Sequence, residues 1–373
     1  MSDKPPYRFA RLSVNSSAHG YRVGYCDLSQ DADAERLARF DLPVLRTPED
    51  VAQWLGVPVG TLAWLTHRCD EANRPASARL SHYHYAWVRK TSGGWRLIEA
   101  PKRRLRDAQE RILREILDRV PPHAAAHGFV TGRSIISNAE PHAGQRVVVS
   151  FDLENFFPSV TFSRVVAVFR SLGYSREAAI WLGRLTTTRT PVALEHPTGE
   201  AWQVERHRVR HLPQGAPTSP ALANLSAFSL DLRLAGLART FHAEYTRYAD
   251  DLTFSGPERF LRALPVFIPL VRKIVRAERL RLNSAKRRVM RNNQQQRVTG
   301  AVVNERVNVP RQDFDRLKAT LTNCVRRGPS TQNHDRRSDF QAHLRGRIAH
   351  VEQLNPTRGA KLLALYDQID WHA

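Results

Sequence analysis

Cysteines, long apolar runs and acidic residues are scarce in this sequence, and each scarcity excludes a class of protein. The 373 residues include three cysteines, Cys26, Cys69 and Cys324, with no Cys-x-x-Cys pair, so neither a disulfide framework nor a zinc site is indicated. There is no run of apolar residues long enough to span a membrane and no hydrophobic segment that begins a signal peptide. We therefore expect a cytoplasmic protein with reduced thiols and no membrane partner.

The imbalance of charge indicates what the protein binds. Lys and Arg together number 57 and Asp and Glu 36, which gives a formal net charge of +21. Such an excess goes beyond what solubility requires and predicts a polyanionic partner. Nucleic acid fits best, because the basic residues are spread along the chain and lean towards arginine, which suits phosphate contacts and base stacking. At this length, two or three packed subdomains are expected.

Histidine pairs offer a weaker hint of metal binding. His82 with His84, and His123 with His127, are spaced so that each pair could share an ion. Neither pair has a clustered third ligand in the sequence, and such histidines are more often surface or core residues. We interpret them as structural.

The front of the chain gives three local predictions. Residues 1–40 lack sustained periodicity and are interpreted as a loosely packed extension. Thr47-Pro48-Glu49-Asp50 is a strong helix start, and residues 61–65 can open a second helix. Such a pair is either a DNA reader or a packing element, and packing is favoured because the second helix offers few side chains for base edges. Residues 85–99 predict a β-hairpin with a turn at 91–94.

Carboxylates stand at the ends of predicted strands in two places. Residues 146–152 are rich in β-branched side chains and end in Asp152, and residues 241–255 predict two strands with Asp250 and Asp251 at the bend. Adjacent carboxylates raise each other's pKa, a conflict that a cation removes. Three carboxylates form the ligand set that Mg²⁺ prefers, and two such ions could stabilise the attacking and leaving oxygens of an in-line displacement.

Longer motifs around these acids resemble a known family. The segments FDLENFFPS at 151–159, LPQGAPTSPALANL at 212–225 and YADDLTF at 248–254 are similar, in the same order, to three conserved blocks of reverse transcriptases. NAEPH at 138–142 and VTG at 298–300 are similar to signatures of the bacterial retron enzymes. The resemblance spans residues 45–373.

The resemblance implies an α+β fold, the right-hand polymerase with fingers, palm and a helical thumb. The divisions expected from it are residues 1–45 for an N-terminal extension, 46–145 for a helical N-terminal region and the fingers, 146–305 for the palm with fingers elements interleaved, and 306–373 for a basic helical thumb. The same resemblance implies that Asp152, Asp250 and Asp251 bind two Mg²⁺ ions, with Mn²⁺ as an alternative and the backbone carbonyl of Leu153 as a further ligand.

Four residues match positions that the family uses to bind the incoming nucleotide. Arg89 and Arg96, seven apart across the predicted hairpin, are expected to grip the triphosphate. The alternative is a pair of solvated surface arginines. Gln214 and Gly215 are expected to line the nucleotide pocket, where glycine permits close backbone approach.

Phe157 and Lys286 each have an expected role and an alternative interpretation. Phe157 matches the ring that excludes a ribose 2′-hydroxyl, or it is a core residue like Phe156. Lys286 matches a lysine that could protonate the leaving pyrophosphate, or it is a charge facing phosphate.

Nucleic-acid contacts are expected from two further places. Asn138 and His142 either bind nucleic acid or form a local network. In the basic C-terminal helices, Arg326 and Arg327 are expected to contact the phosphates of a duplex.

The sequence as a whole predicts an RNA-directed DNA polymerase of the retron kind. The resemblance implies that it binds a cognate structured noncoding RNA as template and primer and uses dNTPs. It further implies a branched RNA–DNA product primed from a 2′-hydroxyl, and antiviral defence with a separate effector protein. Two alternatives remain: another bacterial reverse transcriptase, of an intron or a diversity-generating element, and a catalytically idle RNA-binding protein on the same scaffold.

Overall fold

The computed structural model describes residues 11–17, 20–67, 75–91, 93–205 and 207–371, and for residues 11–26 the backbone alone. Cys69, one of the three thiols, lies outside the described residues. The strands of this part of the chain are Arg11–Ser17 (β1), Gly20–Cys26 (β2), Tyr83–Arg89 (β3), Trp95–Pro101 (β4), Val147–Asp152 (β5), Glu244–Tyr248 (β6), Asp251–Gly256 (β7), Arg288–Arg291 (β8), Arg297–Val298 (β9) and Ala301–Val302 (β10).

The α-helices lie between and after these strands along the chain. They are Ala34–Ala38 (α1), Pro48–Leu55 (α2), Val59–Leu65 (α3), Arg103–Glu115 (α4), Ile135–Ala139 (α5), Phe156–Ser159 (α6), Phe162–Ser171 (α7), Arg176–Thr186 (α8), Ala201–Glu205 (α9), Ser219–Ser226 (α10), Phe228–Thr240 (α11), Glu258–Ala277 (α12), Arg311–Arg327 (α13), Phe340–Leu354 (α14) and Pro356–Tyr366 (α15). No helix among the described residues is both long enough and apolar enough to cross a bilayer.

The chain divides into two compact units. One comprises Met1–His123 with Glu154–Ser229, and the other comprises Ala124–Leu153 with Leu230–Ala373. We call them the first and the second unit and describe each by itself.

The first unit contains the helix pair and the hairpin that the sequence predicts. Thr47 caps α2 through a capping box with Asp50, and Gly56 ends the helix in the left-handed region. Leu62 of α3 is buried, and α2 packs on α8. This packing favours the structural interpretation of the helix pair over a DNA reader. β3 and β4 form the expected hairpin, two residues longer at its open end than predicted.

The N-terminal region differs from the expectation. β1 and β2 pair as an antiparallel hairpin in register from Arg11 opposite Cys26 to Ser17 opposite Gly20. The interpretation of residues 1–40 as a loosely packed extension did not predict this hairpin. Strand pairing depends on partners across the hairpin, which local periodicity does not report.

The second unit is built on a four-stranded antiparallel sheet in the order β6-β7-β5-β8. β5 has neighbours on both sides and buries most of its run of Val and Phe, as its composition predicts. α12 covers one face, where the ring of Phe267 packs edge-on against Phe254 at 5.0 Å and Phe260 at 4.9 Å. The packing of α12 thus buries Phe254, which lies three residues along β7 from Asp251.

The C-terminal helices α13, α14 and α15 belong to the second unit and share one apolar cluster. Leu317 and Leu321 of α13 lie in this cluster together with Leu344 and Ile348 of α14. Cys324 is a buried free thiol in the same cluster. The basic residues of these helices are left on their outer surfaces.

Candidate active site

Three aspartates meet at one edge of the sheet in the second unit. Asp152 is the last residue of β5 and pairs directly with Asp251, the first residue of β7. Asp250 lies in the turn between β6 and β7, and its carbonyl accepts a hydrogen bond from the amide of Leu153 at 2.9 Å. Two strands of one sheet therefore bring together the residues that the sequence predicts as metal ligands.

The turn that carries Asp250 has only two residues between paired strand ends. Tyr248 pairs with Asp251, which leaves Ala249 and Asp250 as the loop, and Ala249 has a φ of 56°. Two-residue hairpin turns require residues in this left-handed region, which is costly for alanine. The surrounding protein must therefore hold the turn in place.

A buried ion pair supplies part of that support. Arg247 donates to the carbonyl of Ala249 at 3.0 Å and to the carboxylate of Asp231 on α11. Tyr245 donates to the same carboxylate at 2.8 Å. Gly128 lies so close to the turn that a Cβ added there would be 2.6 Å from the amide nitrogen of Ala249, so only glycine fits.

The negative charges of the three aspartates at this edge repel one another. Burial, then the neighbouring charges of Asp250 and Asp152, raise the pKa of Asp251 to about 6. Asp251 as a whole residue is exposed to solvent, but the protein atoms around its carboxyl group still disfavour the ionised form. The ammonium of Lys286 lies 2.8 Å from Asp152 Oδ2, and this hydrogen bond raises the pKa of Lys286. The positive charge of Lys286 offsets the negative charge of only one of the three carboxylates.

This donor set fits hard divalent cations. A divalent cation would offset the neighbouring negative charges that raise the pKa of Asp251, and oxygen ligands are those that Mg²⁺ prefers. Asp152, Asp250 and Asp251 are the residues that would hold the ions. The carbonyl of Leu153 as a further ligand stays a prediction.

The predicted triphosphate arginines lie on the hairpin of the first unit. Arg89 pairs with Trp95, and Arg96 pairs with Val88. Because successive residues of a strand point to opposite faces, Arg89 and Arg96 project from opposite faces of the hairpin. Both are exposed, and Arg96 shares its face with Ile98.

Gln214 and Gly215 pack directly against the same hairpin. The amide of Glu99 donates to the carbonyl of Gln214 at 2.7 Å. Gly215 has a φ of 129°, and a Cβ there would lie 3.2 Å from the carbonyl oxygen of Glu99 and 3.3 Å from Ile98. The glycine is thus required for close approach to β4. Since Ile98 is on the face of Arg96, that arginine is the better placed of the two beside the Gln214 segment.

Phe157 was expected to be either the ring that excludes a ribose 2′-hydroxyl or a core residue like Phe156, and the burial of the two rings bears on this choice. Phe156 is buried, whereas Phe157 is half-buried, and their ring centroids are 5.9 Å apart. Core packing is therefore carried mainly by Phe156. Part of the Phe157 ring is left accessible, as a ring beneath a sugar requires.

His142 and Asn138 are fully buried. His142 exchanges hydrogen bonds with Ser255 Oγ at 2.6 Å and Thr246 Oγ1 at 2.8 Å, and Thr246 donates to the carbonyl of Asn138. Burial lowers the pKa of His142 to about 3, so its ring is neutral. The arrangement favours the local network, which braces β6 and β7 behind the aspartates, over direct contact with nucleic acid.

Arg326 and Arg327 end α13 and are both exposed. Their exposure fits phosphate contact, which stays a prediction.

Sequence reasoning missed Arg247, Asp231 and Gly128. Each is an ordinary charged or small residue with no motif around it that would single it out, and its role becomes visible only when the fold places it behind the turn. It also missed a group of Glu99, His207 and His211, the residues that the structure brings within metal-ligand distance of one another. Neither predicted histidine pair forms such a three-ligand group in the part of the chain that is described.

Comparison with known proteins agrees with this geometry. The family model described as reverse transcriptase (RNA-dependent DNA polymerase) matches residues 88–303. The chain therefore belongs to the reverse transcriptase family, is an RNA-directed DNA polymerase, and has the α+β right-hand fold that the sequence predicts.

Relatives place the chain more narrowly, among the bacterial retron reverse transcriptases. It is 44% identical over 337 residues to the retron Mx65 reverse transcriptase of Myxococcus xanthus, covering 88% of this chain and 73% of that protein. It is 37% identical over 352 residues to the retron Mx162 enzyme of the same organism, covering 90% and 70%. The retron Ec86 enzyme of Escherichia coli is 32% identical over 289 residues, covering 77% and 80%. These matches confirm the retron resemblance.

Proposed function

We propose that this reverse transcriptase copies part of a cognate structured noncoding RNA into single-stranded DNA, and that synthesis starts from a 2′-hydroxyl of the same RNA. The product is a branched RNA–DNA molecule, and the substrates are dNTPs. The observation that carries the polymerase chemistry is the meeting of Asp152, Asp250 and Asp251 at one sheet edge. RNA priming, a role in antiphage defence and a separate effector protein rest on the retron resemblance.

The three aspartates are proposed to hold two Mg²⁺ ions, which supply Lewis-acid stabilisation of the attacking and leaving oxygens when bound. Asp152 and Asp251 face each other across paired strands, so their separation is fixed by backbone hydrogen bonds rather than by flexible loops. The Ala249–Asp250 turn is held by Arg247. Mn²⁺ has the same ligand preference and is the alternative ion.

Other side chains are proposed to bind and orient the substrates. Arg96 neutralises the triphosphate, since Arg89 projects from the opposite face of the hairpin, and Gln214 and Gly215 line the nucleotide pocket. Phe157 limits space at the sugar 2′-position. Lys286 is protonated beside Asp152 and is placed to give a proton to the leaving pyrophosphate.

The nucleic acid that co-purifies with the protein tests this function. The chain is expressed with its neighbouring genomic segment as wild type, as Asp250→Asn, and as Glu244→Gln, which changes an exposed acid on β6 away from the turn. We expect a discrete short DNA in wild type and Glu244→Gln that shifts in size after RNase treatment. Asp250→Asn should retain the RNA and lack the DNA.

Two other outcomes would change the assignment. RNA without DNA in every sample, together with Mg²⁺-dependent synthesis on supplied primed templates, would remove the retron priming step and leave a primer-dependent reverse transcriptase. Absence of incorporation on any template would point to the RNA-binding alternative.

A further inference from the structure

A second group of potential metal ligands lies in the first unit, apart from the three aspartates. Glu99 on β4 and His207 and His211 in the segment after α9 are all buried, with 0%, 6% and 0% of their surface exposed. His211 Nε2 is 3.0 Å from Glu99 Oε2 and 3.5 Å from His207 Nδ1. One ligand atom from each residue lies within 4.8 Å of the other two.

These separations are close to those around a tetrahedral zinc ion. With bonds of about 2.1 Å to nitrogen and oxygen, neighbouring ligand atoms around a tetrahedral ion stand about 3.4 Å apart. The two separations that involve His211 fall on either side of that value. Small side-chain rotations would place one ion within bonding distance of all three residues.

The hydrogen bonds of His211 direct its second nitrogen into the group. Its Nδ1 lies 2.7 Å from the carbonyl oxygen of Val209, which can only accept, so Nδ1 carries the proton. Metal-binding imidazoles commonly donate their other nitrogen to a backbone carbonyl in this way, which fixes ring orientation and leaves a lone pair for the ion.

The carboxylate of Glu99 gives independent evidence that these three residues bind a further group. Its Oε1 is fully buried and has no hydrogen-bond partner among the described residues. A buried carboxylate needs compensation for the loss of water. If His211 is protonated, it compensates Oε2 alone, and Oε1 stays unsatisfied.

We propose that Glu99, His207 and His211 bind a structural Zn²⁺ ion, with a fourth ligand from water. Two imidazoles and one carboxylate suit zinc and its borderline neighbours rather than Mg²⁺. The ring of Trp87, 6.2 Å from the His207 ring between centroids, forms an apolar wall beside the group. This proposal is independent of the polymerase mechanism.

The bound ion would fasten the hairpin to the segment that leads into the nucleotide pocket. Glu99 follows Arg96 by three residues, and the backbone amide of Glu99 already binds Gln214. His211 precedes Gln214 by three residues. Without the ion, the hairpin and this segment would still be joined by that backbone contact, by the packing of Gly215 and by the His211–Glu99 hydrogen bond, but His207 would not take part.

Metal analysis of the full-length protein, purified without a histidine tag and with its bound RNA, tests the site. We expect about one zinc per chain in wild type and in His84→Ala, which removes an exposed histidine of β3 as the matched control. Glu99→Gln, His207→Ala and His211→Ala should lose zinc. Replacement by Co²⁺ should give visible d–d absorption in wild type and His84→Ala, and none in these three variants.

Thermal unfolding of the wild type tests zinc binding even if a variant fails to fold. Phenanthroline in excess Mg²⁺ should lower the Tm, and Zn²⁺ added back should restore it. A folded wild type that binds far less than one equivalent of zinc, with a Tm unmoved by the chelator, would overturn the proposal and leave a Glu99–His211 ion pair. Full zinc retention by a folded His207→Ala would overturn it equally.

Discussion

Arg247 and Asp231 form a fully buried, bidentate ion pair behind the Ala249–Asp250 turn, with Nε to Oδ1 at 2.8 Å and Nη2 to Oδ2 at 2.6 Å. The pairing joins β6 to α11, and the same guanidinium holds the carbonyl of Ala249, next to Asp250. Asp231 keeps the pKa of Arg247 above its ordinary value despite burial. The pair thus links helix packing to the position of Asp250, which we propose as a metal ligand.

We expect Arg247→Met to cost about 3–5 kcal/mol of unfolding free energy, because it leaves the Asp231 carboxylate buried without its partner. The measurement is urea denaturation at neutral pH. Arg233→Met is the matched control, since Arg233 pairs with Glu278 at the surface, where such pairs contribute about 0–1 kcal/mol. Equal losses in the two variants would contradict a special role for the buried pair.

The positions of Asp152, Asp250 and Asp251 at strand ends were predictable from the sequence, and the residues that support the turn of Asp250 were not. Asp152 ends a β-branched run, and Asp250 and Asp251 lie between two apolar strands, so local patterns place all three at strand ends. Arg247 and Asp231 are sixteen residues apart and become partners only when α11 packs beside β6. That contact depends on tertiary structure, which local propensity does not encode.

The difference between local patterns and tertiary contacts also explains why the sequence could not assign His142 and did not reveal the group of Glu99, His207 and His211. The sequence left open whether His142 binds nucleic acid, because burial decides the question and burial follows from the packing of β6 and β7. Glu99 and His211 are separated by 112 residues and meet through the pairing of Glu99 with Gln214. The spacing of His207 and His211, one helical turn, was the available signal, and without Glu99 it carried little weight.

His142 should make the protein less stable below neutral pH. Its pKa is about 3 when folded, because burial and then the nearby His127 disfavour the charge, against an ordinary value of 6.5. A depressed histidine pKa means that the unfolded chain binds the proton more readily, so the stability present above pH 6.5 is lost as the pH falls. At pH 5 the loss is about 2 kcal/mol.

Denaturation of wild type and His142→Gln at pH 7 and pH 5 isolates this effect. His127 also titrates low, with a pKa of about 4, and it is common to both proteins. We expect wild type to lose about 2 kcal/mol more than the variant between the two pH values. Parallel losses would show that His142 does not titrate as a buried neutral ring.

Lys286 has two candidate roles, proton donor and partner of Asp152, which Lys286→Arg separates. Arginine can keep the ion pair but gives up a proton far less readily. If Lys286 is the general acid, we expect kcat to fall about 100-fold in both Lys286→Ala and Lys286→Arg. Single-nucleotide incorporation in rapid quench measures it, with Arg287→Ala, the exposed neighbour, as the control. Recovery of the rate by arginine would assign Lys286 to positioning Asp152 instead.

Phe157→Ala should weaken discrimination between deoxyribonucleotides and ribonucleotides. The ring is half-buried beside the fully packed Phe156, so its removal opens space without emptying the core. A steric barrier to the 2′-hydroxyl acts on the ribonucleotide alone, so kcat/KM for rNTPs should rise at least about tenfold relative to that for dNTPs, a change of about 1.4 kcal/mol. Phe228→Ala, which shortens an exposed ring of α11, should leave the ratio unchanged. A general loss of activity with the ratio intact would assign Phe157 to packing and defeat the steric role.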